Sequence, residues 1–455
     1  MAPPGGLLLR SRRAALPDGL RPASVRVEGG RIASVGPFDE PAAGARVHDV
    51  GDAVLLPGLV DTHVHVNEPG RTEWEGFATA TRAAAAGGVT TLVDMPLNSV
   101  PATTTVRALE AKLEAAAGRC VVDVGFWGGV VPGNTGELRP LREAGVLGFK
   151  CFMAPSGVDE FGHVGEAELR EAMPVLAELG APLLAHAESP AALERAAAAL
   201  GGCDRRAHAT WLRSRPPEAE VEAVALLLRL CREYGTRVHV VHVSAAEVLP
   251  LLRDAREDGL PVTAETCPHY LHFAAEEVPD GATGLKCAPP IRGRSNRERL
   301  WAALAAGDLD LVASDHSPCP PALKGLDTGD WLDAWGGIAS LQLGLAVTWT
   351  GARARGMGPG RLAEWMGAAP ARLAGLEDRK GSIAPGLDAD LVVWDPDATV
   401  RVEAAMLHHR HPLTPYAGGV FSGTVLATYL RGVPVHERGR FPAEPAGRTL
   451  LRDAR

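Results

Sequence analysis

A chain of 455 residues with 46% hydrophobic and 22% charged residues has the composition of a folded globular protein, long enough for a large domain and a smaller one. The net charge of −9 argues against nucleic acid or an anionic membrane as partner. No apolar run approaches the roughly 18 residues of a transmembrane helix, and the first residues do not predict a signal peptide. Seven scattered cysteines, without a Cys-x-x-Cys pair, favour reduced thiols and a cytoplasmic location.

The first 57 residues predict a small β-rich segment. Residues 7–9 form one expected strand, and residues 23–27 and 32–35 flank the turn Glu28-Gly29-Gly30-Arg31. The dipeptide Pro57-Gly58 then marks a boundary in the chain.

From residue 59 onward, short apolar runs alternate with longer amphipathic segments. The apolar runs are 59–66, 89–95, 120–126, 146–152, 182–186, 237–243, 260–266 and 309–313, and the helical candidates include 72–86, 103–117, 166–179, 218–234, 245–257 and 295–306. Apolar strands alternating with helices indicate a parallel sheet covered by helices, and eight such units predict a (β/α)₈ TIM-like barrel over residues 58–377. The alternative is a doubly wound open sheet, but its nucleotide-binding form lacks support, because no Gly-x-Gly-x-x-Gly follows the first strand.

The chain becomes β-rich again after the barrel. Residues 389–395, 423–430 and 433–436 predict strands, the last two on either side of the turn Arg431-Gly432. Neither terminal segment is large enough to bury a core alone. We therefore predict an α/β protein in which residues 1–57 and 378–455 combine into one small β-sandwich domain beside the barrel.

Side chains that bind metals stand at the ends of five of the eight apolar runs. The first run carries His63 and His65, which lie two residues apart and so face one side of a strand. The fourth, fifth, sixth and eighth runs end in Lys150, His186, His242 and Asp315. Because barrel active sites lie at the carboxyl ends of the strands, these six side chains are expected to converge into a metal centre.

Other histidines are interpreted as structural or surface residues. His239 is three positions from His242, so alternation along a strand predicts that it faces outward, under a helix. The cluster His408-His409-Arg410-His411 has no strand or helix frame and is expected to be a solvated surface loop. The remaining histidines without a ligand-like setting are His48, His163, His208 and His436.

Lys150 has a specific expected role. A lysine buried beside metal ligands should be neutral, because burial and nearby cations lower its pKa. A neutral amine can take up CO₂ as a carbamate, whose two oxygens could bridge metal ions roughly 3.5–4 Å apart. The alternative is a salt bridge from Lys150 to Asp315 or Glu188. Imidazoles, a carboxylate and a carbamate suit Zn²⁺ or a similar ion, so two divalent ions, most simply Zn²⁺, are predicted.

Five strings around these residues resemble those of the cyclic amidohydrolases, the dihydroorotase- and hydantoinase-like family of the amidohydrolase superfamily. They are Asp61-Thr62-His63-Val64-His65-Val66-Asn67-Glu68-Pro69-Gly70-Arg71, Asp94-Met95-Pro96-Leu97-Asn98-Ser99, Gly148-Phe149-Lys150-Cys151-Phe152-Met153, Lys286-Cys287-Ala288-Pro289-Pro290-Ile291-Arg292 and Ser314-Asp315-His316-Ser317-Pro318-Cys319. The resemblance implies an inner metal held by His63, His65, Lys150 and Asp315, and an outer metal held by Lys150, His186 and His242. It further implies that Lys150 is an N6-carboxylysine and that the protein is a homotetramer.

Two departures bear on the expected substrate. Dihydroorotase-like chains typically carry an Arg where Asn67 stands, and dihydropyrimidinase-like chains have a Tyr shortly after the carboxylated Lys, which residues 152–157 lack. Both differences favour the allantoin-hydrolysing branch, with allantoate as product. Asn67, Asn98, Cys287 and Ser317 are candidates for hydrogen bonds to this small molecule, although loop capping explains such residues almost equally well.

Asp315 is expected to accept the proton of the attacking hydroxide and to pass it to the leaving ring nitrogen. One alternative is a hydantoinase or dihydropyrimidinase acting on a related cyclic amide. A second alternative is an interaction protein without enzymatic activity on the same fold, which the full ligand set disfavours.

Overall fold

The computed structural model describes residues 6–452. Its strands are β1 (Leu7–Leu16), β2 (Gly19–Glu28), β3 (Arg31–Gly36), β4 (Arg46–Asp49), β5 (Val54–Pro57), β6 (Leu59–Val64), β7 (Val89–Asp94), β8 (Asp123–Phe126), β9 (Gly128–Gly129), β10 (Phe149–Phe152), β11 (Leu183–His186), β12 (Val238–Val240), β13 (Val262–Thr266), β14 (Leu311–Val312), β15 (Leu391–Arg401), β16 (Val420–Leu430), β17 (Val433–Glu437) and β18 (Thr449–Leu450). Its α-helices are α1 (Phe77–Ala86), α2 (Val106–Ala116), α3 (Leu138–Glu143), α4 (Glu166–Glu178), α5 (Pro190–Ala198), α6 (His208–Ser214), α7 (Pro217–Tyr234), α8 (Leu249–Glu257), α9 (Pro268–His272), α10 (Arg294–Ala306), α11 (Gly344–Ala354), α12 (Gly360–Ala363) and α13 (Ala369–Ala374).

Strands β6 to β14 form the wall of the predicted barrel. Their neighbours pair in parallel, and β8 and β9 are two parts of one wall strand separated by Trp127. A parallel bridge between Val64 and His316 closes the ring, and the His65 N–H donates to the His316 carbonyl (2.9 Å). Each of the eight predicted apolar runs contains one of these wall strands, so the barrel prediction is confirmed.

The helices agree with the sequence pattern except near the first strand end. Helix α7 follows the expected bounds, with Pro217 at its first position and Gly235 at φ +69° just beyond its end. Helix α1 instead begins at Phe77, not at residue 72. Glu68 Oε2 accepts the Phe77 N–H (2.8 Å), and the preceding residues form a loop beside the strand end.

The two terminal segments combine, and eight of their strands are hydrogen-bonded into one sheet instead of the two separate sheets of the expected β-sandwich. Its order is β17-β16-β15-β5-β1-β2-β3, with β4 also paired to β1. A bulge between Ser11 and Ala14 divides β1, so that its first half pairs with β4 and its second half with β5. The sheet covers its own apolar core, which includes Leu9, Val25 and Leu391.

The end of the described chain departs from the predicted domain bounds. Residues 378–455 were expected to belong wholly to the small domain, but β18 pairs in parallel with the barrel strand β8. Leu450 joins the apolar cluster inside the barrel. The C-terminal segment therefore returns to the barrel and adds a short strand beside β8.

A buried lysine also joins the two domains. The Lys380 ammonium donates to Asp123 of the barrel and to Asp390 beside the small sheet, at 2.7 Å each. Arg431, in the turn between β16 and β17, pairs with Asp123 as well. Such buried charges are tolerated only because each has a partner, which fixes the contact between the domains.

Two sequence-level exclusions can be compared with the structure. All seven cysteines are free thiols. Within residues 6–452, every helix is too short or too polar to span a lipid bilayer.

Candidate metal centre

Six predicted ligand side chains meet at the carboxyl end of the barrel, and all are buried. His63 and Lys150 lie in β6 and β10, His186 ends β11, and His65, His242 and Asp315 follow β6, β12 and β14 within a few residues. Asp315 Oδ1 is 3.2 Å from His63 Nε2 and 3.7 Å from His65 Nε2. The ring centroids of His186 and His242 are 4.7 Å apart. Tertiary structure thus assembles the whole predicted set.

Outer hydrogen bonds fix which imidazole nitrogens are free to bind a cation. His63 donates from Nδ1 to Glu265, and His65 from Nδ1 to the Leu97 carbonyl (3.3 Å), so both Nε2 atoms face Asp315. His186 donates from Nε2 to Glu188 (2.7 Å), which leaves its Nδ1 unprotonated. His242 Nδ1 is buried and has no partner among the described residues. These partners orient lone pairs as in known metal sites, so the donor set fits divalent cations.

The protonation states agree with this role. Burial, reinforced by neighbouring positive groups, holds the pKa values of His65, His186 and His242 well below their usual range. Burial also opposes the charged form of His63, but Asp315 and Glu265 outweigh it and raise the pKa of that ring. Most of the imidazoles are therefore neutral at pH 7, as metal ligation requires.

Lys150 has the surroundings of a neutral amine. Its Nζ donates to the Cys151 carbonyl (3.1 Å) and lies 3.8 Å from the centroid of the Phe152 ring. No carboxylate of residues 6–452 forms an ion pair with it, so the alternative salt bridges to Asp315 and Glu188 are absent. Burial lowers the pKa of Lys150 to about 7. The uncharged form that carbamate chemistry needs is thus well populated near neutral pH.

One buried residue of this centre, Glu265, was not identified from the sequence, and a second, His239, was assigned to the wrong face. Glu265, in β13, accepts from His63 through one oxygen, and its other oxygen lies 3.0 Å from His239 Nε2. The outward position predicted for His239 is therefore wrong. The sequence did contain a signal for Glu265, because a carboxylate is unusual within an apolar run. The seventh run, residues 260–266, had been assigned no functional side chain.

The alternation argument for His239 failed for a local reason. Strand β12 ends at Val240, and His242 has φ +40°, in the left-handed region. Period-two alternation holds only for continuous extended backbone. The kink lets His239 and His242 approach the same buried carboxylate, because Glu265 also accepts the His242 N–H (3.3 Å).

Replacing Glu265 with Gln is expected to weaken metal binding about 10- to 100-fold. The carboxylate of Glu265 is an anionic acceptor for the His63 Nδ1–H, and a neutral amide orients the His63 ring less strongly. Competition with a chromophoric chelator measures the metal affinity. Asp310→Asn is the control, since it removes a partly buried carboxylate that pairs with Arg256 away from the centre. Equal metal affinity in Glu265→Gln and wild-type protein would contradict the orienting role.

A cavity of about 320 Å³ opens above the metal centre. One wall is formed by Asn98, Phe152 and residues 155–157, and the other by Trp211, Arg215, Lys286 and residues 332–337. The Trp335 ring packs edge-on against Trp74, which joins the loops at the mouth. The size suits a small-molecule substrate.

The four predicted substrate contacts separate into two pairs. Asn98 and Ser317 line the cavity, and Ser317 Oγ donates to Asp315 Oδ1 (2.8 Å). Asn67 lies behind the wall, where its Oδ1 accepts from Asn98 Nδ2 (3.2 Å). Cys287 is also behind the wall, and burial raises its pKa to about 12. Asn67 therefore positions Asn98 through this hydrogen bond, and Cys287 is not exposed to the cavity.

Sequence reasoning also missed two basic side chains of the cavity wall. Arg215 pairs with Glu188, the carboxylate that holds His186. Lys286 Nζ donates to the carbonyls of Leu332 and Ala334 and so fixes the loop that covers the cavity. Lys286 stands in one of the recognised strings, whereas nothing local distinguishes Arg215, which follows α6.

The histidine cluster at residues 408–411 differs from the predicted solvated loop. His409 is buried, and burial lowers its pKa to about 4. Arg410 N–H donates to Glu75 (3.1 Å), and the His411 ring contacts the Glu73 carbonyl (2.7 Å). The segment therefore packs on the loop after β6, because the Arg410 N–H and the His411 ring form hydrogen bonds with residues of that loop.

The sequence pattern of the amidohydrolase family matches residues 54–435, and the chain belongs to this family. An allantoinase of Streptomyces avermitilis is 53% identical, over 98% of this chain and 99% of its own length. The allantoinase of Arabidopsis thaliana is 44% identical over 97% of this chain and 90% of its own. The solved L-hydantoinase of Arthrobacter aurescens superposes with a TM-score of 0.93 at 31% identity, covering 98% of this chain and 99% of that chain.

Proposed function

We propose that this chain is an allantoinase, which hydrolyses a cyclic amide bond in the hydantoin ring of allantoin to give allantoate. The observation that carries the proposal is the 53% identity to the Streptomyces avermitilis enzyme across nearly both whole chains. Identity to solved hydantoinases and dihydropyrimidinases is lower, at 27–31%. Family and relatives together make the chain a hydrolase of carbon–nitrogen bonds, with a divalent metal centre typical of the family.

The finer composition of the centre is part of the proposal. An inner Zn²⁺ would be held by His63, His65, Asp315 and a carboxylated Lys150, and an outer Zn²⁺ by carboxylated Lys150, His186 and His242. When bound, such ions lower the pKa of water to about 7 and polarise a carbonyl. The free nitrogens of the histidines and the uncharged Lys150 support this assignment.

Asp315 is proposed to carry the proton between the two halves of the reaction. Its carboxylate would accept a proton from the attacking water and donate it to the ring nitrogen that leaves. Ser317 Oγ holds Oδ1 in place (2.8 Å), and burial raises the pKa of Asp315, which favours retention of the proton between the steps. Without that proton, an amide nitrogen is a poor leaving group.

The cavity walls would orient the ring. Asn98 and Ser317 offer hydrogen bonds to its imide and ureido groups, and Arg215 offers a cation to the carboxylate that ring opening produces. Phe152 and Trp335 add aromatic rings to the lining of the cavity. The neutral Asn67 stands where an Arg is expected for a carboxylate-bearing substrate, which supports allantoin.

The proposal is tested with a substrate panel. Purified, metal-loaded protein is assayed with allantoin, hydantoin and dihydrouracil, and its metal content is determined by mass spectrometry. We expect kcat/KM for allantoin to exceed that for the other two by about 100-fold or more, since a site that hydrogen-bonds the ureido group penalises its absence. Higher kcat/KM for hydantoin or dihydrouracil would favour the hydantoinase function, which the structural neighbours make the second candidate.

Quaternary structure and location complete the proposal. A homotetramer is proposed from the family resemblance, and light scattering coupled to gel filtration measures it. A cytosolic location is proposed from the unpaired cysteines. A relative from Aquarana catesbeiana is named a mitochondrial allantoinase, so cell fractionation distinguishes the two compartments.

A further inference from the structure

A second cavity, of about 410 Å³, lies between the barrel and the small sheet. It is enclosed by the end of α1, the start of α11 and the strands β15 to β17. Its lining includes Leu345, Ala346, Trp394, Gly423, His436 and Arg438. It shares none of these residues with the cavity above the metal centre.

Two residues that line this cavity each carry a buried hydrogen-bond donor without a partner among the described residues. Trp394 is fully buried, and its Nε1–H has no acceptor among the described residues. His436 is 5% exposed, and its Nε2 accepts the Gly439 N–H (3.0 Å), so its proton resides on Nδ1. That Nδ1 likewise has no partner in residues 6–452. Because a buried donor without a partner is unfavourable, an acceptor for these groups is expected in the cavity.

The indole position depends on a glycine. Gly423 has φ +95°, and a Cβ atom there would lie 2.7 Å from Trp394 Nε1. The indole therefore packs directly on the backbone of β16. Trp349, whose ring centroid is 5.3 Å from that of Trp394, donates its own Nε1–H to the Pro396 carbonyl (2.8 Å) and does not line the cavity.

The electrostatic surroundings favour an anion. Leu345 and Ala346 belong to the first turn of α11, where N–H groups have no acceptor within the helix and the helix dipole is positive. Arg438 is exposed and adds a cation at the rim. No Asp or Glu occurs among the lining residues, all of which the structure describes. Burial lowers the pKa of His436 to about 4, so that ring acts as a neutral donor near pH 7.

Much of the remaining lining is apolar, and the polar side chain of Gln342 is already hydrogen-bonded to Met406 and His408. Apolar side chains that form no hydrogen bonds to water come from Leu343, Val400, Met406 and Val425. A fitting ligand therefore carries an acceptor group at one end and an apolar body at the other.

We propose that this interdomain cavity is a binding site for a small organic carboxylate with an apolar or aromatic body. Its carboxylate would accept from Trp394 Nε1 and His436 Nδ1, and Arg438 would add charge at the rim. The proposal concerns a site apart from the metal centre and does not rest on the proposed function.

Benzoate, with benzyl alcohol as its neutral counterpart, tests the proposal by isothermal titration calorimetry on the metal-loaded full chain. We expect benzoate to bind, and benzyl alcohol to bind at least about 10-fold more weakly, because hydrogen bonds to a charged acceptor are the stronger ones. Allantoin competition separates the two sites: benzoate binding is expected to persist at saturating allantoin. Absence of benzoate binding, equal affinity for the alcohol, or displacement by allantoin would each overturn the proposal.

Variants assign the binding to this cavity. Trp394→Phe keeps the ring and removes the donor, so benzoate affinity is expected to fall about 10-fold, whereas Trp349→Phe, the matched control, leaves it unchanged. Arg438→Gln alters only an exposed side chain and should fold normally, and it is expected to weaken binding and reduce its salt dependence. Unchanged benzoate affinity in both Trp394→Phe and Arg438→Gln would place the ligand elsewhere and overturn the assignment.

Discussion

Asp315→Asn is expected to lower kcat for allantoin by about 1,000-fold or more while the protein remains folded. The amide cannot accept the proton of the attacking water, and general acid–base groups typically contribute 10²–10⁴-fold. The carboxylate stands where this transfer needs it, since its Oδ1 is 3.2 Å from His63 Nε2 and is held by Ser317 Oγ at 2.8 Å. Steady-state kinetics with allantoin measures the effect.

The control for this variant separates proton transfer from metal loss. Metal content is measured on the same Asp315→Asn sample, because Asn retains one oxygen that can bind a cation. Asp333→Asn, a carboxylate that lines the same cavity and pairs with Arg205, is expected to retain activity within a few-fold. Full turnover by Asp315→Asn with normal metal content would contradict the assignment of the base.

Replacement of Lys150 is expected to abolish both metal binding and turnover. Lys150→Ala removes the side chain that is proposed to bridge the two ions. Lys150→Arg keeps a positive charge but cannot form a carbamate, because the guanidinium stays protonated at neutral pH. We expect each variant to lose at least about 1,000-fold in kcat/KM, since the metal supplies both the nucleophile and carbonyl polarisation. Elemental analysis and allantoin kinetics measure these losses together.

A separate measurement isolates the carbamate itself. Wild-type protein, stripped of metal in CO₂-free buffer, is expected to recover activity with Zn²⁺ only when bicarbonate is added. The pKa of about 7 caused by burial predicts faster recovery above pH 7, where the amine is uncharged. Isotopically labelled bicarbonate should then give a carbamate signal in NMR spectra. Recovery at the same rate and extent without CO₂ would contradict carboxylation of Lys150.

The ligand set was accessible to prediction because of a general property of barrels. In a parallel barrel the carboxyl ends of all strands meet at one face, so the last residues of each apolar run become neighbours. The run ending in His186 and the run leading to His242 could therefore be assigned to one centre without any knowledge of packing. The spacing of His63 and His65 added a shared face on a single strand.

Sequence position could not locate residues whose role depends on contacts across the barrel. Glu265 holds His63 from a strand 202 residues away in the chain, and Arg215 reaches the centre only through Glu188. The assignment of His239 failed because the backbone at His242 leaves the extended conformation, which alternation assumes. Asn67 and Cys287 were predicted to contact the substrate, but both lie behind the cavity wall. How deep a side chain lies in the wall depends on packing, which a linear sequence pattern does not encode.

The sequence by itself determined the barrel, the paired terminal segments and the order of the ligand-bearing strand ends, since hydrophobic periodicity and the parallel topology dictate them. Tertiary structure alone decided which imidazole nitrogens are free, that no carboxylate within residues 6–452 pairs with Lys150, and that β18 returns to the barrel. It also decided that Trp394 and His436 share a cavity between the domains. These features depend on distances between segments far apart in the chain, which only the packing of the two domains sets.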